Sequence, residues 1–175
     1  MARNFMCTKT DPVVETKAGK LRGFQLDGTY AFHGVKYADA KRFHQPTPVE
    51  PWEGIKNALA YGYVCPMLQQ DQPSNELMVP HRYWPLDENC QYLNIWTQHL
   101  DPNAKKPVLV WLHGGGFAAG SSIEHIAYEG ENMSKYGDVV VISLNHRLNI
   151  LGYLDLSPFG EEYKNSGNAG NADMV

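Results

Sequence analysis

Two continuous apolar runs, Val108–Leu112 and Val139–Leu144, separated by a short crossover, constrain this sequence more than any other feature. Strands that are apolar at nearly every position belong in a parallel sheet covered on both faces. Between the runs, Ala127 to Tyr136 is a short helical candidate carrying Met133 and Tyr136 three apart. Strand, crossover, strand is the βαβ logic of an α/β protein. Upstream, Tyr92–Thr97 reads as a strand with partial alternation, and Val13–Thr16, Leu21–Leu26 and Tyr30–Val35 as short β-rich pieces. Asp27-Gly28, between the last two, is a strong hairpin signal. The expected fold is therefore α/β, with small N-terminal antiparallel strands, then a central, mostly parallel sheet with crossover helices. Both apolar runs are expected to be central strands.

From His44 to Asn89 the sequence is irregular and rich in Pro, Gln and aromatics. Segments of this kind are functional or disordered. Trp52, Tyr61, Tyr63, Tyr83 and Trp84 favour packed and functional. Near the end, a Gly/Asn-rich run before Asp173 resembles the entry to another helix, so the architecture is expected to be incomplete within residues 1–175. No composition shift marks a domain boundary inside them.

Composition excludes several classes. Of 175 residues, 43% are apolar and 19% charged, which is globular rather than disordered. The net charge of −4 offers no basic stripe for a nucleic acid. Apolar runs are too short to span a membrane. The start, Met1 to Cys7, lacks a secretory h-region, so a cytoplasmic location is expected. Cys7, Cys65 and Cys90 show no metal-ligand spacing, and no H-E-x-x-H occurs, so no metal is expected.

Directly after the first apolar run stands His113-Gly114-Gly115-Gly116-Phe117. Consecutive glycines let a backbone turn where a Cβ would clash, and can present N–H groups outward. Converging N–H donors stabilise an oxyanion by about 3 kcal/mol each. An ordinary glycine turn is the alternative reading. Position after a buried-type strand, with a histidine in front, favours the oxyanion loop of an ester hydrolase.

Further blocks carry a family resemblance. Ala31-Phe32-His33-Gly34-Val35-Lys36-Tyr37-Ala38 is similar to F-x-G-I-P-Y-A, with Lys36 where proline is usual. Arg42-Phe43, Pro46, Pro48 and Pro51-Trp52-Glu53-Gly54 follow R-F…P-x-P…P-W-x-G. Asp87-Glu88-Asn89-Cys90-Gln91-Tyr92-Leu93-Asn94-Ile95-Trp96-Thr97 resembles S-E-D-C-L-Y-L-N-V-W-T. Asn145-His146-Arg147-Leu148 is similar to N-Y-R-L, and Gly167-Asn168-Ala169-Gly170 with Asp173 to G-N-x-G-L-x-D. In order, and over residues of about 13 to 175, these blocks resemble the N-terminal portion of the type-B carboxylesterases, the cholinesterase-like α/β-hydrolases. Two departures stand out. The spacing between Tyr37-Ala38 and Arg42-Phe43 is shorter than in the family, which implies a trimmed rim at the active-site mouth. No serine of the sequence lies in a G-x-S-x-G.

The resemblance implies an α/β-hydrolase fold and ester hydrolysis through a serine acyl-enzyme, without cofactor or metal. It makes Gly115 and Gly116 the oxyanion donors and Gly114 a turn residue. His113 becomes a buried brace, and Arg147 a structural residue tied into an ion-pair network. Asp173 becomes a structural aspartate near a helix start rather than the triad acid. Phe117, Tyr83, Trp84 and Met78 are the candidates for lining the substrate pocket, with core packing equally open for Trp84. Cys65 and Cys90 match the family's first disulfide pair and are expected to lie close together. The nucleophile, acid and histidine are expected in a C-terminal part or second polypeptide, the partner of this chain besides a small ester substrate. A non-catalytic cholinesterase-like binding or adhesion domain is the alternative.

Overall fold

The computed structural model describes residues 3–67 and 81–175. Among the described residues the strands are β1 (Phe5–Met6), β2 (Val13–Glu15), β3 (Lys20–Arg22), β4 (Phe24–Leu26), β5 (Thr29–Lys36), β6 (Ala38–Asp39), β7 (Thr47–Pro48), β8 (Ile55–Asn57), β9 (Tyr92–Thr97), β10 (Val108–Leu112) and β11 (Val140–Leu144). Three short α-helices accompany them: α1 (Glu131–Gly137), α2 (Asn149–Tyr153) and α3 (Ala169–Ala172). The main sheet has six strands in the order β1-β4-β5-β9-β11-β10. A three-stranded sheet, β2-β3-β8, and the β6-β7 pair lie apart from it.

Local chemistry sets the N-terminal half. Asp27 and Gly28 form the two-residue turn between β4 and β5, both with left-handed φ (49° and 87°), as a tight hairpin demands. The expected strand Leu21–Leu26 divides instead into β3 and β4, which belong to different sheets. Gly23 sits at the division. A Cβ there would lie 2.3 Å from the Ala31 carbonyl oxygen, so only glycine permits this approach. In β5 the register against β9 shifts between Phe32 and Val35. The Asn94 side chain fills the gap by accepting from the Gly34 N–H at 3.0 Å.

The C-terminal half carries the βαβ unit. β10 and β11 run parallel in the register Val108–Val140 to Leu112–Leu144. This is the sole parallel pair of the main sheet among the described residues; β11 pairs with β9 antiparallel, as do the strands beyond. The sheet of this chain is thus more antiparallel than its apolar runs predict. β11 is interior, with Val141 and Leu144 buried. β10 is at the edge, and its five residues are 37–58% exposed. An unbroken apolar run reports that both faces of a strand suit burial; it does not report which chain segment covers them. In the crossover, Ala127 and Tyr128 lie in a 3-10 turn before α1. Met133 and Tyr136 face outward, at 49% and 94% exposure, while Ser134 is the buried residue of the helix.

Three apolar clusters hold the layers. Phe24, Ala31, Trp96 and Val141 pack on one side of the main sheet. Leu21, Phe32 and Ala58 join it to the three-stranded sheet. Cys65, Cys90, Leu148 and Leu151 fix the long irregular segment against α2.

Candidate active site

β10 delivers His113 and the three glycines to the end of the sheet. His113 is buried, and its Nδ1 lies 2.8 Å from the Gly114 carbonyl. A carbonyl can only accept, so Nδ1 carries the proton and donates. Burial holds the His113 pKa below the ordinary value, so at neutral pH the ring is uncharged. It stacks on His146 at 5.1 Å, and His146 donates from Nδ1 to the Arg147 carbonyl at 3.0 Å. The two histidines brace the ends of the parallel strands through these Nδ1 contacts and their stacking.

The glycine loop itself is exposed. Gly115 and Gly116 have φ of 122° and 63°, and Phe117 follows at 64°. A Cβ on Gly115 would lie 2.0 Å from the Ala119 carbonyl oxygen, whereas one on Gly116 would meet nothing within 4 Å. The Gly115 carbonyl accepts from the N–H groups of Ala118 and Ala119 at 3.1 and 3.2 Å, which closes the turn. The N–H groups of Gly115 and Gly116 donate to no described residue. Two such dipoles at a water-exposed turn can hold an oxygen that gains negative charge. The left-handed φ of Phe117 is strained for an aromatic residue. Its carbonyl accepts from the Asn149 N–H at 2.7 Å, so α2 holds the strained turn in place.

Beside the loop lies an open cleft of about 640 Å³, lined by Gly116, Phe117, Asn149, Ile150, Tyr153 and Leu154 among others. Phe117 and Tyr153 meet edge to face at 5.2 Å. Of the pocket residues proposed from sequence, Phe117 is thus brought to the glycine loop. Trp84 is not among those lining this cleft. It packs edge to face on Tyr61 and donates from its indole nitrogen to the Tyr61 carbonyl at 3.3 Å. Tyr83 is 49% exposed and also does not line the cleft. Met78 lies outside the described residues.

Behind the loop runs a buried polar network. Asn94 Nδ2 donates to the hydroxyls of Ser122 and Ser143 at 3.2 and 3.3 Å. The Ser122 N–H donates to Asn145 Oδ1 at 2.7 Å, and Asn145 Nδ2 to the Tyr63 carbonyl at 3.1 Å. Ser122, six residues after Gly116, is thereby clamped to β9 and to the residue following β11. Sequence reading singled out neither asparagine for this role; a polar residue within β9 and another directly after β11 were the available signal. Arg147 and Asp173 pair in the interior, as the resemblance implies. Asp173 follows α3 rather than standing at a helix start. Cys65 and Cys90 are buried thiols in contact, hydrogen-bonded to each other and not bridged. That bond and burial raise the Cys90 pKa. His81, Glu124 and His125, none of which lines the cleft, form a group able to hold a metal ion.

A mixed sheet whose parallel pair ends in this glycine turn is the hallmark of the α/β-hydrolases. Comparison with known proteins narrows the class. The para-nitrobenzyl esterase of Bacillus subtilis is 37% identical over 171 residues, spanning 95% of this chain and 33% of that protein. The phenmedipham hydrolase of Pseudarthrobacter oxydans is 40% identical over 150 residues, 83% of this chain and 30% of that protein. Among solved structures, an esterase from anaerobic Clostridium hathewayi that can hydrolyse aliphatic aromatic polyesters superposes with a TM-score of 0.94. It is 65% identical, over 99% of this chain and 34% of that one. Residues 10–175 match the Carboxylesterase family, and the chain belongs to it. It spans about a third of the length of these relatives.

Proposed function

We propose that this chain supplies the oxyanion loop and part of the substrate cleft of a serine carboxylesterase. The observation that carries the reading is the pair Gly115 and Gly116, whose N–H groups have no partner among the described residues, with Gly116 lining an apolar cleft. The ester carbonyl oxygen rests on these two donors, and the acyl or alcohol group lies against Phe117, Ile150 and Tyr153. A serine in a G-x-S-x-G, contributed by a further stretch of polypeptide or a second chain, attacks the carbonyl carbon. Negative charge then moves onto the oxygen held by the glycines. Collapse expels the alcohol and leaves an acyl-enzyme, which water clears. This scheme uses no metal and no organic cofactor. The exposed apolar edge at β10 supports the same partner, because the strand bearing such a serine has a place to pair there. Aromatic esters are the favoured substrates: Phe117 and Tyr153 offer ring contacts, and the Clostridium hathewayi esterase is described as acting on aliphatic aromatic polyesters.

The test is hydrolysis of p-nitrophenyl and benzoate esters by the intact protein and by its Gly116→Val variant. Valine at φ 63° is strained and its side chain crowds the oxygen site. A fall in kcat of about a hundred-fold or more, with the fold intact, is expected. Undiminished kcat in a correctly folded variant removes Gly116 from the mechanism.

A further inference from the structure

The His81, Glu124 and His125 side chains converge from two segments far apart in sequence. A ligand atom from each lies within 4.8 Å of those of the other two. His81 Nδ1 is 3.5 Å from Glu124 Oε1, and the His81 and His125 ring centroids are 4.4 Å apart. The group is half-buried, with the His81 and Glu124 side chains 21% and 25% exposed. Backbone contacts fix it on both sides. The Arg82 N–H donates to the Glu124 carbonyl at 2.8 Å, which ties the first segment to the second. The second is anchored through Ser122 and Asn145. The His125 ring rests against Tyr128 at 5.1 Å. The neighbouring cation, Arg82, is already paired with Glu129 at 2.6 Å.

We propose that His81, Glu124 and His125 bind a divalent transition-metal ion of the zinc type. Two imidazoles and one carboxylate suit zinc, cobalt or nickel, whereas calcium and magnesium require oxygen donors throughout. Ligands about 2.1 Å from a tetrahedral ion stand about 3.4 Å from one another. Binding an ion would draw the observed spread in to that value, and the side chains that must rotate to do so are partly exposed. Three protein ligands leave a fourth position for water. The ion would staple the segment entering Trp84 to Ser121–His125, the stretch that continues from the glycine loop. Its role is positional; no step of ester hydrolysis runs through it. Sequence spacing gave no sign of the group, because His81 is separated from the other two ligands by more than forty residues.

The experiment is titration of zinc, and separately of cobalt, into metal-stripped intact protein, followed by calorimetry and by the cobalt visible spectrum. One ion per chain with an intense tetrahedral cobalt spectrum is expected. His81→Ala, Glu124→Gln and His125→Ala should each weaken uptake by about tenfold or more. Each variant should keep its circular dichroism spectrum, and zinc should raise the melting temperature of the parent but not of the variants. Absence of saturable uptake overturns the proposal. So does uptake that all three variants retain, or a cobalt spectrum dominated by sulfur charge transfer, which would place the ion on cysteine.

Discussion

Arg147 and Asp173 form an ion pair whose side chains are 1% and 0% exposed, with Nε–Oδ2 and Nη2–Oδ1 contacts of 2.9 and 2.7 Å. The remaining hydrogen-bonding capacity is also used. Asp173 Oδ2 accepts from the Arg147 N–H and from Gln91 Nε2, while the guanidinium donates to the carbonyls of Lys41, His44 and Ala169. One pair thus joins the segment after β11, the residue preceding β9, the stretch after β6 and α3. A buried pair broken on one side leaves an uncompensated charge, at a cost of about 3–5 kcal/mol. Asp173→Asn is expected to destabilise the intact protein by that amount in urea unfolding. A loss below about 1 kcal/mol would show that water or another carboxylate replaces the partner.

Gly115 and Gly116 should respond differently to the same small change. Gly115→Ala drives a Cβ to 2.0 Å from the Ala119 oxygen, so the loop must move. Gly116→Ala enters open space and carries only the cost of a left-handed alanine, about 1 kcal/mol. Gly115→Ala is therefore expected to lower esterase kcat strongly, and Gly116→Ala to keep most of it. Equal losses in the two variants would mean that the turn is not held by the Ala119 contact.

His33 sets an acid limit on stability. Its ring stacks on Tyr61 at 4.4 Å and meets Phe24 and Trp96 edge on, and its buried Nε2 has no hydrogen-bond partner among the described residues. Burial lowers its pKa from 6.5 to about 4, with Glu129 and Arg82 acting in opposite directions. The unfolded chain takes up the proton first as pH falls. Stability that is fully present above pH 6.5 is therefore lost progressively down to about pH 4, by on the order of 3 kcal/mol. His33→Phe removes the titrating group and keeps an aromatic ring. Its melting temperature should fall less between pH 6.5 and 4 than that of the parent. Identical acid limbs in the two proteins would exonerate His33.

Much of this was readable from residue types. Asp27-Gly28 requires a turn with left-handed residues, and the hairpin is there. Three glycines after an apolar strand admit few structures, and the loop follows β10 directly. What escaped the sequence depends on long-range approach. Gly23 looks like one more residue of a strand until the Ala31 carbonyl is seen beneath it. Asn94 and Asn145 acquire their roles only when β5, β9 and β11 come together. Trp84 shares the composition of a pocket residue, yet its position is set by Tyr61. The mixed direction of the sheet is not legible in β10 and β11, because apolar continuity records coverage of the faces and not strand direction.

The exposed β10 edge gives the final expectation. Val108 and Val110 are 58% and 50% exposed here, values at odds with an unbroken apolar strand unless something else covers it. If a further part of the protein pairs with β10 and packs on its faces, a charge at Val110 is buried in the intact protein but solvated in the 175-residue chain. Val110→Lys should then destabilise the intact protein by about 2 kcal/mol or more, since an apolar contact is lost and an ammonium loses water. In the isolated chain the same substitution should leave thermal stability unchanged and reduce self-association, because charged residues protect open edges. Size-exclusion chromatography with mass detection, alongside urea unfolding of the intact protein, reads both effects. A neutral Val110→Lys in both settings would show that β10 remains an uncovered edge.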